Sequence, residues 1–133
     1  DRLRAIFTAH RGEELDHAGD GFFVAFERSA DALDCAVEVQ RALADHRRHH
    51  GFAPSVRIGV HASEATRSGT GFAGRAVHEG ARIAALAGPD EILASIETAR
   101  DGPLRPGLSP ARTVRLKGIA EPVEIVTIPW RIG

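Results

Sequence analysis

Cysteine occurs once in this sequence, at Cys35. An internal disulfide and a cysteine zinc site are therefore excluded, and a reducing cytoplasm is the expected setting. Methionine and tyrosine are absent, and there is a single tryptophan. No apolar run approaches the ~20 residues of a membrane span, so neither a membrane segment nor a signal peptide is expected. Neither sign of charge dominates: 17 Lys and Arg face 18 Asp and Glu, for a net charge of -1 and a pI of about 6.7. The basic footprint of a dedicated nucleic-acid binder is missing, and no nucleic-acid partner is expected. Lysine is nearly absent too: Lys117 stands against sixteen arginines, a coding bias without mechanistic content. There is no phosphate-binding Gly-rich P-loop, no zinc pattern and no G-x-S-x-G elbow.

What remains is an ordinary globular composition, 43% apolar and 26% charged over 133 residues. A chain of this size buries roughly 65–70% of its unfolded surface and needs no staple to hold a core. Residues 1–133 are expected to form one domain. The first residue is Asp1 rather than Met, which suggests a piece of something longer.

Apolar residues at Leu3, Ile6 and Phe7 predict the end of a helix over 3–9, stopped at His10-Arg11-Gly12 with Gly12 at the turn. Gly19-Asp20-Gly21 before Phe22-Phe23-Val24-Ala25-Phe26 predicts a β-hairpin, tight at Asp20. Ser29 is the expected cap of a helix to about His46, with Leu33, Ala36, Val37, Gln40, Leu43 and Ala44 inward and Gln40 at the margin. Residues 56–61 alternate with period two, as a strand does. Residues 66–71 read as a flexible loop, and 74–87 as a second strong helix closed by Gly88-Pro89. A strand at 91–94, a helical turn at 97–101 and strands at 113–117 and 123–128 complete the chain. Hairpins mixed with helical crossovers indicate an α+β sandwich, with helices on one face of a largely antiparallel sheet.

Four polar residues of the second strong helix, Arg75, His78, Glu79 and Arg82, share one face, with Val77, Ala81 and Ala84 toward the sheet. Such a stripe suits solvent and i,i+4 ion pairs, or it suits phosphate, for which Arg offers a planar donor fork. Asp20 between two glycines makes a good turn, or an exposed oxygen ligand for Mg²⁺. His46, His49 and His50 beside Arg47 and Arg48 read as a charged helix end, because no fixed partners for metal-bound imidazoles are suggested. Cys35 reads as a small core residue rather than a nucleophile.

Taken together and in order, these segments resemble the catalytic domain of class III adenylate/guanylate cyclases. The matching stretches are 12–15 through Gly19-Asp20-Gly21-Phe22, Ala30-Asp31-Ala32-Leu33 through Gln40-Arg41-Ala42-Leu43, and Val56-Arg57-Ile58-Gly59-Val60-His61. Gly74-Arg75-Ala76-Val77 through Ala81-Arg82-Ile83, Gly88-Pro89-Asp90-Glu91-Ile92-Leu93 and Leu116 through Val123 follow. The resemblance implies a ferredoxin-like α+β fold and a head-to-tail homodimer with two composite sites at its interface. It also implies attack of a ribose 3′-oxygen on the α-phosphate of a nucleoside triphosphate, assisted by Mg²⁺ or Mn²⁺ on two aspartates.

Carried over residue by residue, the resemblance puts Asp20 on the second metal aspartate and Arg82 on the transition-state arginine. His78 stands where the family has Asn, Asp16 where adenylate cyclases have a base-contacting Lys, and Gly71 where they have a base-reading Asp or Thr. The family's first strand, with the first metal aspartate, would precede Asp1. The expectation is a cyclase homology domain lacking that strand, degenerate at its site, holding no metal in this chain and serving as a nucleotide-binding, dimerising or regulatory module. The alternative is an active, divergent adenylate or guanylate cyclase whose first metal aspartate lies upstream.

Overall fold

In the computed structural model, the helix spelled by Leu3, Ile6 and Phe7 is α1 (Arg2–Ala9). The structure describes all residues except 1, 19–20, 27, 52–55, 62–66, 69–70, 73–74, 102–104, 119–120 and 132–133; the side chains of 2, 15–18, 21–23, 25, 67–68, 71–72 and 75–79 also lie outside the description. α1 closes differently from the expectation. Arg11, at φ 65°, is the left-handed residue, and the Gly12 N–H donates to the Phe7 carbonyl at 2.8 Å. Gly12 is small for another reason: a Cβ there would lie 2.7 Å from Val24 Cγ1 and 2.8 Å from the Phe26 ring.

The hairpin is β1 (Glu13–Ala18) with β2 (Gly21–Ala25). Its register sets Ala18 opposite Gly21, and a bulge falls between Glu14 and Asp16. α2 (Ser29–His50) runs four residues beyond its expected end. Ser29 is inside the helix; the cap position is Arg28, in extended backbone and without a side-chain cap bond. The helix stops at Gly51, left-handed at φ 78°, whose N–H bonds the Arg47 carbonyl at 2.7 Å. A glycine reaches that conformation without a Cβ penalty. Gln40 is buried rather than marginal: its Nε2 donates to the Val56 carbonyl at 2.9 Å.

β3 (Ile58–Val60) follows, then a ladder where a loop was expected, β4 (Arg67–Ser68) against β5 (Gly71–Phe72). Two-residue strands carry too little pattern to stand out from a Gly-rich stretch. Next come α3 (Arg75–Leu86), β6 (Ile92–Ser95), α4 (Ile96–Arg100), β7 (Arg112–Val114) and β8 (Val123–Thr127). The main sheet has the order β3-β6-β8-β7, parallel only at β3–β6, where α3 makes the crossover.

The helices cover both faces of this sheet, not one. Ile58 and Val60 of β3, with Ile92 and Ala94 of β6, pack toward Leu33 and Ala36 of α2 and Ala99 of α4. Leu93, between them, joins Ile125 and Leu116 under Ile83 of α3 and Ala87 just after it. All four residues of β6 are buried, as a strand covered on both sides must be. No described helix is long and apolar enough to cross a membrane.

Candidate functional site

α3 is positioned by a missing side chain. A Cβ on Gly59 would lie 2.4 Å from the Ala84 backbone N and 2.8 Å from the Gly80 carbonyl oxygen. Backbone atoms cannot yield as a flexible side chain can, so only glycine lets α3 sit this close to β3. The helix turns Gly80, Ile83, Ala84 and Ala87 inward, with Ile83 and Ala87 fully covered. Ala81, expected inward, is half-buried, and the side chain of Val77 lies outside the description. Ala84 is inward as expected, and Ile83 adds the fully buried centre of the stripe.

Below the same helix lies a polar trio. His61, on the β3 face shared with Gly59, has Nδ1 3.0 Å from Ser95 Oγ, and Ser95 Oγ is 2.6 Å from Thr98 Oγ1. Ser95 and Thr98 are essentially fully buried, so these bonds offset the cost of taking their hydroxyls out of water. A Cβ on Gly80 would touch the His61 Cβ at 4.0 Å. The trio thus joins the end of β3, the end of β6 and α4 under α3. The alternation of 56–61 indicated the face His61 would share; Ser95 and Thr98 gave no comparable signal, since the bond that ties them to His61 spans 34 residues.

Two of the expected site residues share the helix above this support. Arg82 is on α3, half-buried, between the covered Ile83 and the exposed opposite side. His78 is on α3 one helical turn earlier; its side chain lies outside the description. Asp16 is in β1 directly after the bulge, opposite Phe23, and Gly71 opens β5 opposite Ser68; neither side chain is described. Asp20 lies outside the described residues. Among the described residues no group of three or more His, Cys, Asp or Glu side chains could hold a metal ion together. The structure therefore brings His78 and Arg82 onto one helix over β3.

Cys35 is buried beside Ile6, Phe7 and Val39, as its sequence context suggested. Burial, with a lesser contribution from Glu38, pushes its thiol up to about 12, which keeps it protonated and a poor nucleophile.

No family model matches the chain. The curated protein named Putative adenylate cyclase 3, from Rhizobium meliloti (strain 1021), is 30% identical over 95 residues, which are 70% of this chain and 16% of that protein. This chain thus corresponds to a small part of that relative's length. Among solved structures, the guanylyl cyclase Cya2 is 27% identical with a TM-score of 0.79, over 96% of this chain and 74% of that one. An adenylate/guanylate cyclase/hydrolase from Silicibacter pomeroyi, 22% identical, shares the fold with a TM-score of 0.77, over 96% of this chain and 78% of that one. The mixed α+β architecture, the expected ferredoxin-like sandwich, is thus the one these cyclase structures share. In its fold and in its likeness to these proteins, the chain is a class III adenylate/guanylate cyclase domain.

Proposed function

We propose that this domain is a catalytically degenerate nucleotidyl cyclase homology domain, cytoplasmic and homodimeric, that binds a nucleoside triphosphate as a regulatory or dimerising module instead of turning it over. Residues 1–133 act as one domain in this reading. The observation that carries it is a contrast. The support for the site is intact, with α3 docked through Gly59 and Arg82 held half-buried on it, whereas Asp16, Gly71 and His78 depart from the residues the family uses.

Each departure has a chemical consequence. Arg82 keeps the planar donor fork that suits a phosphate. Asp16 is an acceptor only when ionised, so it can take guanine N1–H and N2–H₂ but cannot donate to adenine N1. Gly71 offers the base no side chain. His78 retains a ring N–H for a ribose oxygen but is bulkier than Asn. Asp20 alone would hold Mg²⁺ or Mn²⁺ weakly, because these ions want several oxygen ligands.

A second reading, an active divergent cyclase, draws on the sheet edge. β1–β2 and β3 belong to separate sheets, yet Val24, Phe26 and Ile58 pack on one apolar cluster with Ile6, Phe7, Cys35 and Val39. Among the described strands β3 pairs only with β6. In this reading a further strand would carry the first metal aspartate and complete the metal site.

Equilibrium binding with Mn²⁺ present tests the first reading. GTP should bind more tightly than ATP, and Arg82→Ala should weaken GTP by roughly tenfold or more, the loss of one charge-assisted contact. Binding of neither nucleotide at millimolar concentration would overturn it.

A further inference from the structure

We propose that His46 and His50, in the last turn of α2, form a two-imidazole chelate for a borderline divalent transition ion such as Cu²⁺, Ni²⁺ or Zn²⁺. This site is separate from the candidate nucleotide site and takes a different class of metal from the Mg²⁺ or Mn²⁺ of the cyclase family.

The two residues are four apart on one helix, so their side chains rise from the same face one turn apart. Their ring centroids are 4.4 Å apart, with the planes tilted by 33°. Two imidazoles on one ion, at metal–nitrogen distances of ~2.0–2.1 Å, have centroids about 4.5–5 Å apart. The rings already stand close to chelating separation, and side-chain rotation alone brings both nitrogens onto one ion. Both residues are exposed, which leaves the remaining coordination positions to water.

The surroundings of this turn favour that pair over its neighbours. Asp45 occupies the other polar groups: its carboxylate is 3.8 Å from Arg48 and 3.4 Å from His49, and its carbonyl oxygen is 2.9 Å from His49 Nδ1. Arg47 reaches Asp90 at 3.5 Å. Both arginines of the turn therefore have a carboxylate, which lowers the repulsion an added cation would meet. The turn is held in helical form by the Gly51 cap, whose N–H bonds the Arg47 carbonyl at 2.7 Å. The end of a 22-residue helix also carries the negative pole of its macrodipole, which favours a cation there. Imidazole suits Cu²⁺, Ni²⁺ and Zn²⁺, whereas Mg²⁺ prefers oxygen, and affinities of the first-row ions should rise from Mn²⁺ to Cu²⁺.

Isothermal titration of the untagged chain with CuCl₂ and ZnCl₂ tests the proposal. One ion per chain should bind, Cu²⁺ more tightly than Zn²⁺, and an equal concentration of Mg²⁺ should not compete. His46→Ala and His50→Ala should each weaken Cu²⁺ binding at least tenfold, and His49→Ala should leave it within twofold. Circular dichroism checks that the three variants, all at exposed positions, keep the fold. Added Zn²⁺ should also raise the melting temperature of the wild type and leave those of His46→Ala and His50→Ala unmoved. No saturable binding at millimolar ion, or equal affinity in the wild type and the His46 and His50 variants, would overturn the proposal. So would a loss confined to His49→Ala.

Discussion

The two faces of the β3-β6-β8-β7 sheet are covered in different ways. Toward α2 and α4 the contacts are aliphatic and aromatic: Leu33, Ala36, Val60, Ile92, Ala94, Val126, Ile128 and Trp130 form one buried cluster. Toward α3 the apolar cluster is smaller, the approach of helix to strand depends on Gly59, and the polar His61–Ser95–Thr98 bonds lie beneath. The first face holds the domain together largely by area removed from water, which tolerates small changes of shape. The second sets a helix at a fixed height through a glycine, over a strand end tied by directional bonds, which is how a functional constellation is held closely in place. Arg82 and His78 are on that second helix.

Substitutions on the two faces should therefore separate stability from binding. The largest loss is expected on the first face. Leu33→Ala should cost about 3–4 kcal/mol in urea unfolding, because Leu33 is fully buried and its neighbours relax only partly into the cavity. The folded fraction should bind GTP as the wild type does. Gly59→Ala should cost about 2–3 kcal/mol, since the added carbon meets backbone that has to move. Its signature is different: lifting α3 displaces Arg82, so GTP binding by the folded protein should weaken as well. Equal binding in Gly59→Ala and wild type would break the comparison.

Smaller effects sharpen it. Ser95→Ala removes the bond to Thr98 and the one to His61 and should cost about 1–2 kcal/mol, read by thermal melting. Cys35, on the α1–α2 contact, should have the least effect at neutral pH. Its thiol is held up at about 12 against an ordinary value of 9.0, so the folded chain binds the proton more tightly than the unfolded one. Stability is unaffected by this group below about pH 8 and should decline as pH rises from about 9 toward 12. Cys35→Ala should remove that part of the alkaline decline, measured as the change of the urea midpoint with pH.

The sequence revealed most where a pattern repeated locally. The period-two run from Val56 to His61 correctly assigned Ile58 and Val60 to one face and Gly59 and His61 to the other. Of the residues helical spacing pointed inward, Ile6, Phe7, Leu33 and Ala36 are buried, and Leu3, Val37, Leu43 and Ala44 are half-buried. Readings that depended on distant contacts fared worse. Gly12 looked like a helix stop, but Val24 and Phe26 are what require it to be small. Gln40 looked marginal because its partner, the Val56 carbonyl, is sixteen residues away. The covering of both sheet faces was written in the unbroken apolar run Ile92-Leu93-Ala94, which admits a two-sided strand as readily as a short buried one. For the site, the resemblance singled out Arg82 and His78, and the structure puts them on the helix that Gly59 positions. The histidines of α2 read as a charged helix end, because the sequence suggests no fixed partners for metal-bound imidazoles; the structure adds that the helix extends to His50, which sets His46 and His50 one turn apart.

The most direct test of the central claim, an intact framework around a degenerate site, is cyclic nucleotide formation by this chain from ATP and from GTP with Mn²⁺. Loss of one transition-state contact costs roughly 10²–10³ in rate. The changes at Asp16 and Gly71 fall on base recognition and that at His78 on the ribose, so even with non-additivity turnover should fall near background. The account predicts no detectable cyclic AMP and at most traces of cyclic GMP, unchanged by Asp16→Lys combined with His78→Asn. Robust turnover by the 133-residue chain, abolished by Arg82→Ala, would contradict it.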